Sequence, residues 1–192
     1  LDIEAHGISK DNTKLCGDSY KIIDLGYRQI IALSDGMGYG FDAYQQSNQT
    51  INLVNNLSNL KLNTSLTMSL IKNSFLYKNN KDSYATLDYL DIDLITAEAS
   101  LFKFASTSTF IIRNKHIEIY ENDNLPLGFD SLSSFYKIKL CRNDLVFIMS
   151  DGITEHIDSN ELKKILINLI TTSTITNITA IIMVILNITR KT

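Results

Sequence analysis

Short apolar and β-branched runs, separated by turn residues, constrain the fold of this chain more than any other feature. The first two runs, at 20–25 and 29–33, are separated by Gly26 and predict a β-hairpin. Further runs of the same kind occupy 85–94, 99–105, 109–113, 116–120, 135–140, 145–149 and 179–188. The Asn114-Lys115 pair between two of them predicts a tight turn. So many short strands predict mainly antiparallel β-sheets.

Three other stretches have the periodicity of helices. From about 42 to 60, apolar and small side chains recur at three- and four-residue steps, which gives one apolar face. Thr64 is the predicted N-cap of a second helix and Ser159 that of a third. Helices with one apolar face, beside enough strands for two sheets, predict an α+β fold in which helices pack outside a layered sandwich.

The global composition excludes several classes of protein. With 192 residues, 44% of them hydrophobic, the chain is long enough to bury one sizeable core. A net charge of −3 provides no basic surface for nucleic acid. Cys16 and Cys141 lie far apart in strand-like contexts, so we predict buried thiols and no disulfide framework.

Membrane attachment is expected only through a region that precedes this sequence. The longest late apolar run, 180–186, is much shorter than the roughly 18 to 20 residues of a membrane-spanning helix. The chain begins at Leu1 without a signal peptide, so we expect it to be the C-terminal part of a longer protein.

Two acidic turns each follow a strand-like run. In Asp35-Gly36 and in Asp151-Gly152, a carboxylate at a strand end is followed by a glycine that lets the backbone approach a bound ion. Together the turns predict metal-assisted chemistry. An isolated Asp-Gly pair is more often an ordinary turn. Asp18 fits two roles equally well: a carboxylate at the metal site, or a turn residue that accepts hydrogen bonds from nearby backbone N–H groups.

Other polar residues are predicted to face solvent. Asp88, Asp91 and Asp93 lie along one strand and are interpreted as its solvated face. His156 is the histidine nearest to an acidic turn in sequence, and we interpret it as a surface residue rather than a general acid.

Six motifs occur in the order and spacing of a known family. They are Gly17-Asp18-Ser19, Ala32-Leu33-Ser34-Asp35-Gly36-Met37-Gly38, Ser83-Tyr84-Ala85-Thr86-Leu87-Asp88, Thr109-Phe110-Ile111, Leu125-Pro126-Leu127-Gly128 and Ile148-Met149-Ser150-Asp151-Gly152-Ile153. In this order they resemble the phosphatase domain of the stage II sporulation protein E family, which is among the metal-dependent, type 2C-like (PPM) serine/threonine phosphatases. The resemblance covers nearly the whole chain and implies a single PPM-type domain over 1–192. It also implies a four-layer αββα sandwich, with two mainly antiparallel sheets flanked by helices.

The resemblance also implies roles for individual residues. Asp35 would bridge two Mn or Mg ions, the Gly36 carbonyl would bind one of them, and Asp151 would bind the other. Asp18 would be the outer carboxylate that orients the attacking water, so Asp18, Asp35 and Asp151 are the predicted catalytic residues. Hard divalent cations prefer oxygen ligands, and a pair of them can activate water while neutralising a phosphate.

The implied substrate is phosphoserine on a regulatory protein. By resemblance, that protein is an anti-sigma factor antagonist, whose dephosphorylation controls a sporulation sigma factor in the cytoplasm. Two functions stay open: an active phosphoserine phosphatase, and a degenerate phosphatase-fold domain that binds a partner protein without turnover.

One position departs from the family pattern. Where the family has a third metal-binding aspartate before its last strand, this chain has Thr176, followed by Asn177. A hydroxyl in place of a carboxylate removes a full negative charge from the ligands of one ion. We therefore expect one metal site, and with it the activity, to be weakened.

Overall fold

The computed structural model describes residues 1–9, 16–38, 40–77, 84–130, 133–154, 159–172 and 180–188. They divide into two compact units, one drawn from Leu1–Asn12, Thr107–Glu121 and Leu140–Thr192 and the other from Thr13–Ser106 and Asn122–Lys139. We refer to these as the first and the second unit. The elements in the described ranges are β1 (Asp2–Ser9), β2 (Asp18–Asp24), β3 (Arg28–Asp35), α1 (Gly40–Asn59), α2 (Thr64–Leu76), β4 (Leu87–Asp93), β5 (Glu98–Phe104), β6 (Thr109–Arg113), β7 (His116–Tyr120), β8 (Ser134–Lys139), β9 (Asp144–Met149), α3 (Asp151–Thr154), α4 (Ser159–Thr172) and β10 (Ala180–Ile188).

The second unit contains an antiparallel sheet with the strand order β2-β3-β4-β5-β8. The predicted β2–β3 hairpin is confirmed, and the backbone N–H of Leu25 donates to the Arg28 carbonyl across its turn at 2.9 Å. One face of the sheet buries Ala32 and Tyr89 in a core that also contains Val54 of α1 and Ile71 of α2. Burying one such large apolar side chain stabilises the fold by about 1.5–3 kcal/mol, so this core fixes both helices on the sheet.

The first unit contains a mixed sheet with the strand order β1-β10-β9-β6-β7. β1 pairs with β10 and β10 with β9 in parallel, whereas β9–β6 and β6–β7 are antiparallel. The predicted turn between β6 and β7 is confirmed, because Asn114 and Lys115 have φ values of 50° and 68°. Leu162 and Leu166 of α4 pack into a core with the apolar side chains of β6 and β9.

Most of the predicted elements are confirmed, and the α+β class with two sheets is correct. Sequence reasoning missed β1 and the four-residue α3. It also assigned the wrong N-cap to α2, because the side chain of Asn63 accepts a 2.8 Å hydrogen bond from the Leu66 N–H. The Thr64 hydroxyl instead donates to Asp91. Across the described residues, no helix is long and apolar enough to cross a membrane.

The interpretation of Asp88 and Asp91 as a solvated face is wrong. Both are buried in β4, with only 1% and 4% of their surface exposed. Asp88 pairs with the fully buried Lys103 and accepts a 2.9 Å hydrogen bond from Ser106, while Asp91 pairs with Arg28. Burial raises the pKa of Asp88, and the Lys103 ammonium and the Ser106 hydroxyl oppose that shift. Pairing with a cation is what makes a buried carboxylate tolerable.

The prediction of two buried thiols is also wrong. Cys16 is half-buried and Cys141 is exposed, and both are free thiols. Cys141 lies outside the strands, in a turn closed by a 3.2 Å hydrogen bond from the Asp144 N–H to the Cys141 carbonyl.

Candidate metal centre

Two carboxylates face each other at one end of the β2–β3 hairpin. Asp18 begins β2, Asp35 ends β3, and the antiparallel register pairs them directly. Directly opposed residues project to the same face with Cβ atoms about 4.5–5.5 Å apart. Asp18 is only 9% exposed and Asp35 is half-buried. The fold therefore brings together two of the three predicted catalytic aspartates.

The electrostatics of this pair fit a hard cation. Like charges directly opposed across two strands destabilise a sheet, and a cation between them removes that cost. The two charges also act on Cys16. Burial of the Cys16 thiol raises its pKa most, and the negative charges of Asp18 and Asp35 add to the shift, which brings the pKa to about 11. The N–H of Asp18 donates to Cys16 Sγ at 3.1 Å, which opposes the shift. Carboxylate oxygens are the donors that Mg²⁺ and Mn²⁺ prefer.

Gly36 lies where no other residue fits without movement. A Cβ atom on Gly36 would lie 1.8 Å from the backbone oxygen of Ala43 in α1. The Gly36 N–H also donates to the Gly17 carbonyl at 3.2 Å. The turn after Asp35 thus contacts both the start of α1 and the segment before β2. Close packing alone is a sufficient reason for glycine here, independent of any ligand role for its carbonyl.

Two polar residues near Asp35, Ser34 and Thr86, were assigned no role from the sequence. The Asp35 N–H donates to Thr86 Oγ1 at 2.9 Å, and the Thr86 N–H donates back to the Asp35 carbonyl at 2.9 Å. The Thr86 carbonyl accepts a 2.7 Å hydrogen bond from Ser34 Oγ. Both residues belong to motifs noted in the sequence, but nothing local predicts that the two motifs meet.

Asp151 lies in the first unit. It begins α3 directly after β9 and is half-buried, and the preceding Ser150 is buried. Thr107 Oγ1 donates to the Met149 carbonyl at 2.6 Å, which fixes the end of β9 just before this turn. The ligand role of Asp151 stays a prediction, and His156 and Thr176 lie outside the described residues. Within the part of the chain that the structure describes, no three His, Cys, Asp or Glu residues cluster as a metal site.

Comparison with known proteins identifies the family. A sequence profile described as "Stage II sporulation protein E (SpoIIE)" matches residues 26–187. The chain belongs to the stage II sporulation protein E family. Stage II sporulation protein E of Bacillus subtilis (strain 168) is 32% identical over 160 residues, which is 80% of this chain. The match spans only 19% of that protein's length.

Solved structures agree with this family and its fold. A structure of the PP2C phosphatase domain and a fragment of the regulatory domain of SpoIIE from Bacillus subtilis has a TM-score of 0.72 and 30% identity, covering 81% of this chain and 49% of that chain. RsbX in complex with magnesium has a TM-score of 0.65 at 17% identity, covering 88% and 86% of the two chains, and this likeness shows the fold alone. The SpoIIE-family chain described here therefore has the PP2C-type phosphatase fold.

Proposed function

We propose that this domain is a metal-dependent protein serine phosphatase that hydrolyses phosphoserine on a regulatory protein. The observation that carries the proposal is the Asp18–Asp35 pair at the end of the β2–β3 hairpin, in a chain with the PP2C-type fold. The proposed substrate is a phosphorylated protein of the anti-sigma factor antagonist type, and the proposed role is control of a sporulation sigma factor. Membership of the sporulation protein family supports that assignment.

The proposal treats 1–192 as one catalytic domain that works in the cytoplasm. A role in binding nucleic acid is not part of the proposal, since the net charge of −3 offers no basic surface.

Asp35, the Gly36 carbonyl and Asp151 are the proposed ligands of two divalent ions, Mn²⁺ or Mg²⁺. When bound, such ions activate water and neutralise the charge of the phosphate. Asp18 is nearly buried and directly opposite Asp35, so its carboxylate can accept a hydrogen bond from the attacking water and orient it. In-line attack of that water on phosphorus would break the bond to the serine oxygen and give inorganic phosphate and the serine alcohol, which takes up the proton that the water loses. No covalent intermediate forms on the protein.

A second function is favoured by one substitution. Thr176 replaces the third metal-binding aspartate of the family pattern, which lowers the negative charge available to one ion. In this alternative the domain keeps the fold and binds a partner protein without turnover. Measured turnover separates the two functions, because both allow a partner to bind.

The test compares wild type with Asp35→Asn and a matched control, Asp24→Asn. Asp24 is an exposed aspartate at the other end of β2, where it accepts a 2.7 Å hydrogen bond from the Gly26 N–H. Binding of Mn²⁺ is measured by calorimetry, and turnover with a generic phosphoester and a phosphorylated antagonist protein. We expect Asp35→Asn to weaken Mn²⁺ binding at least about tenfold, which is 1.4 kcal/mol, and Asp24→Asn to behave as wild type.

Each result decides one point. Unchanged Mn²⁺ affinity in folded Asp35→Asn would reject Asp35 as a ligand. Wild type that binds the phosphoprotein but turns over neither substrate at any Mn²⁺ concentration would establish the partner-binding alternative.

A further inference from the structure

The backbone hydrogen-bonding pattern between β3 and the chain that leads into β4 becomes irregular at Asp35. The register places Leu33 opposite Asp88 and Gly36 opposite Ala85, so Asp35 lies opposite Thr86. In a regular antiparallel ladder, such a pair exchanges two backbone hydrogen bonds. Here one is kept, from the Thr86 N–H to the Asp35 carbonyl at 2.9 Å.

Two side chains replace the other backbone bond. The Asp35 N–H donates to the Thr86 hydroxyl oxygen at 2.9 Å instead of to the Thr86 carbonyl. That carbonyl accepts from the hydroxyl of Ser34 at 2.7 Å. The peptide that leads into Asp35 is therefore held by side chains at the point where β3 ends and the turn at Gly36 begins.

These side chains are held in place on both strands. Ser34 is fully buried, and a buried hydroxyl is stable only when it is hydrogen-bonded. Two residues beyond Thr86, Asp88 is fixed by its ion pair with the fully buried Lys103. The contact to Asp35 therefore comes from a residue just before β4, close in sequence to this buried ion pair.

The opposed carboxylates give this contact a consequence for binding. The Asp35 carboxylate, directly opposite Asp18, can bind a cation only if its peptide is held in a suitable orientation. We propose that Thr86, supported by Ser34, is a positioning residue that holds Asp35 in the orientation required for a divalent cation. The inference rests on the proposed function, since it takes Asp35 as a metal ligand. Outer partners that orient a ligand typically change metal affinity by about 10- to 100-fold when removed.

The test uses three variants and one matched control. Thr86→Val keeps the branched shape but removes the hydroxyl acceptor, Thr86→Ser keeps the hydroxyl, and Ser34→Ala removes the supporting donor. The control is Thr67→Val in α2, because Thr67 is a buried threonine whose hydroxyl donates one hydrogen bond, to the Asn63 carbonyl at 3.1 Å. That carbonyl keeps its 3.0 Å bond from the Thr67 N–H, so the control loses a hydroxyl far from Asp35 in sequence.

Calorimetric titration with Mn²⁺ is the main measurement, and thermal unfolding controls for stability. We expect Thr86→Val to bind Mn²⁺ at least about tenfold more weakly than wild type. Thr86→Ser should recover most of that loss of Mn²⁺ affinity. The affinity of Ser34→Ala should lie between those of wild type and Thr86→Val, and Thr67→Val should bind Mn²⁺ as wild type does. In the metal-free protein, the Asp35 amide proton should exchange faster in Thr86→Val than in Thr86→Ser.

The outcomes separate this inference from the proposed function. Folded Thr86→Val with wild-type Mn²⁺ affinity would overturn the positioning role and leave the function standing. Equal losses in Thr86→Val and Thr67→Val, or no recovery in Thr86→Ser, would also overturn it. Wild type that binds neither Mn²⁺ nor Mg²⁺ would overturn the proposed function itself. If Thr86→Val does not fold, Ser34→Ala provides the test. A wild-type Mn²⁺ affinity in Ser34→Ala would then reject the proposal that Thr86, supported by Ser34, positions Asp35.

Discussion

The close packing of Gly36 against α1 predicts that alanine at this position disrupts the turn after Asp35. In Gly36→Ala the added Cβ would lie 1.8 Å from the oxygen, 2.6 Å from the carbonyl carbon and 2.8 Å from the Cα of Ala43. All three are backbone atoms, so no side-chain rotation can relieve the overlap. Ordinary contacts of a Cβ begin at 3.4 Å, so the turn and the start of α1 must separate by about 1.6 Å.

The expected cost follows from this displacement. Overpacking a well-packed site costs about 1–3 kcal/mol, and an overlap with backbone atoms, which cannot rotate away, lies at the upper end. For a chain of this size, 1 kcal/mol corresponds to about 2–4 °C in Tm, so Gly36→Ala should lower Tm by about 6–12 °C. The control is Gly17→Ala, whose Cβ would meet Asp35 Oδ1 at 3.5 Å and the Ala43 Cβ at 3.6 Å, which are ordinary contacts.

Thermal unfolding followed by circular dichroism measures both variants against wild type. Gly17→Ala should change the free energy of unfolding by less than about 1 kcal/mol, because a compatible Gly→Ala change costs little or stabilises slightly. A Tm of Gly36→Ala within about 2 °C of the Gly17→Ala value would show that the turn does not contact α1 as described.

Two further predictions concern charge. Thr176→Asp should restore an anionic oxygen to the weaker ion, tighten Mn²⁺ binding and raise phosphoesterase turnover; a folded variant with no gain at any Mn²⁺ concentration would contradict the missing-ligand account. Lys103→Met should lower the free energy of unfolding in urea by about 3–5 kcal/mol, because it leaves the Asp88 carboxylate buried without its cation. Adding Asp88→Leu should recover most of that loss, and an equally large loss in the double variant would count against an unpaired charge as its cause.

Local features of the sequence predicted most of the elements. The β2–β3 hairpin and the Asn114-Lys115 turn depend on residues within a few positions of each other, so period and turn chemistry were sufficient. The N-cap of α2 was missed by one residue, since Asn63 and Thr64 are both good capping residues. In the structure, Asn63 accepts the capping hydrogen bond from the Leu66 N–H, while the Thr64 hydroxyl donates to Asp91, 27 positions away.

The errors on β4 have the same origin. Asp88 and Asp91 have the polarity of a solvated face, and their burial is acceptable only because Lys103 and Arg28 neutralise them. The cation that pairs with Asp91 is 63 positions away. Sequence spacing along one strand contains no information about such a partner.

The sequence by itself determined the local chemistry of this protein: the strand and helix periods, the two Asp-Gly turns, and the motif order that identifies the family. These features depend on residue type and short spacing. The tertiary structure alone decided that Asp18 lies opposite Asp35, that Gly36 must be small because α1 packs on it, and that Thr86 holds the Asp35 peptide. Sequence spacing does not specify these relations, whether the partner is 51 positions away, as Thr86 is from Asp35, or in the adjacent helix, because strand register and core packing form only in the folded molecule.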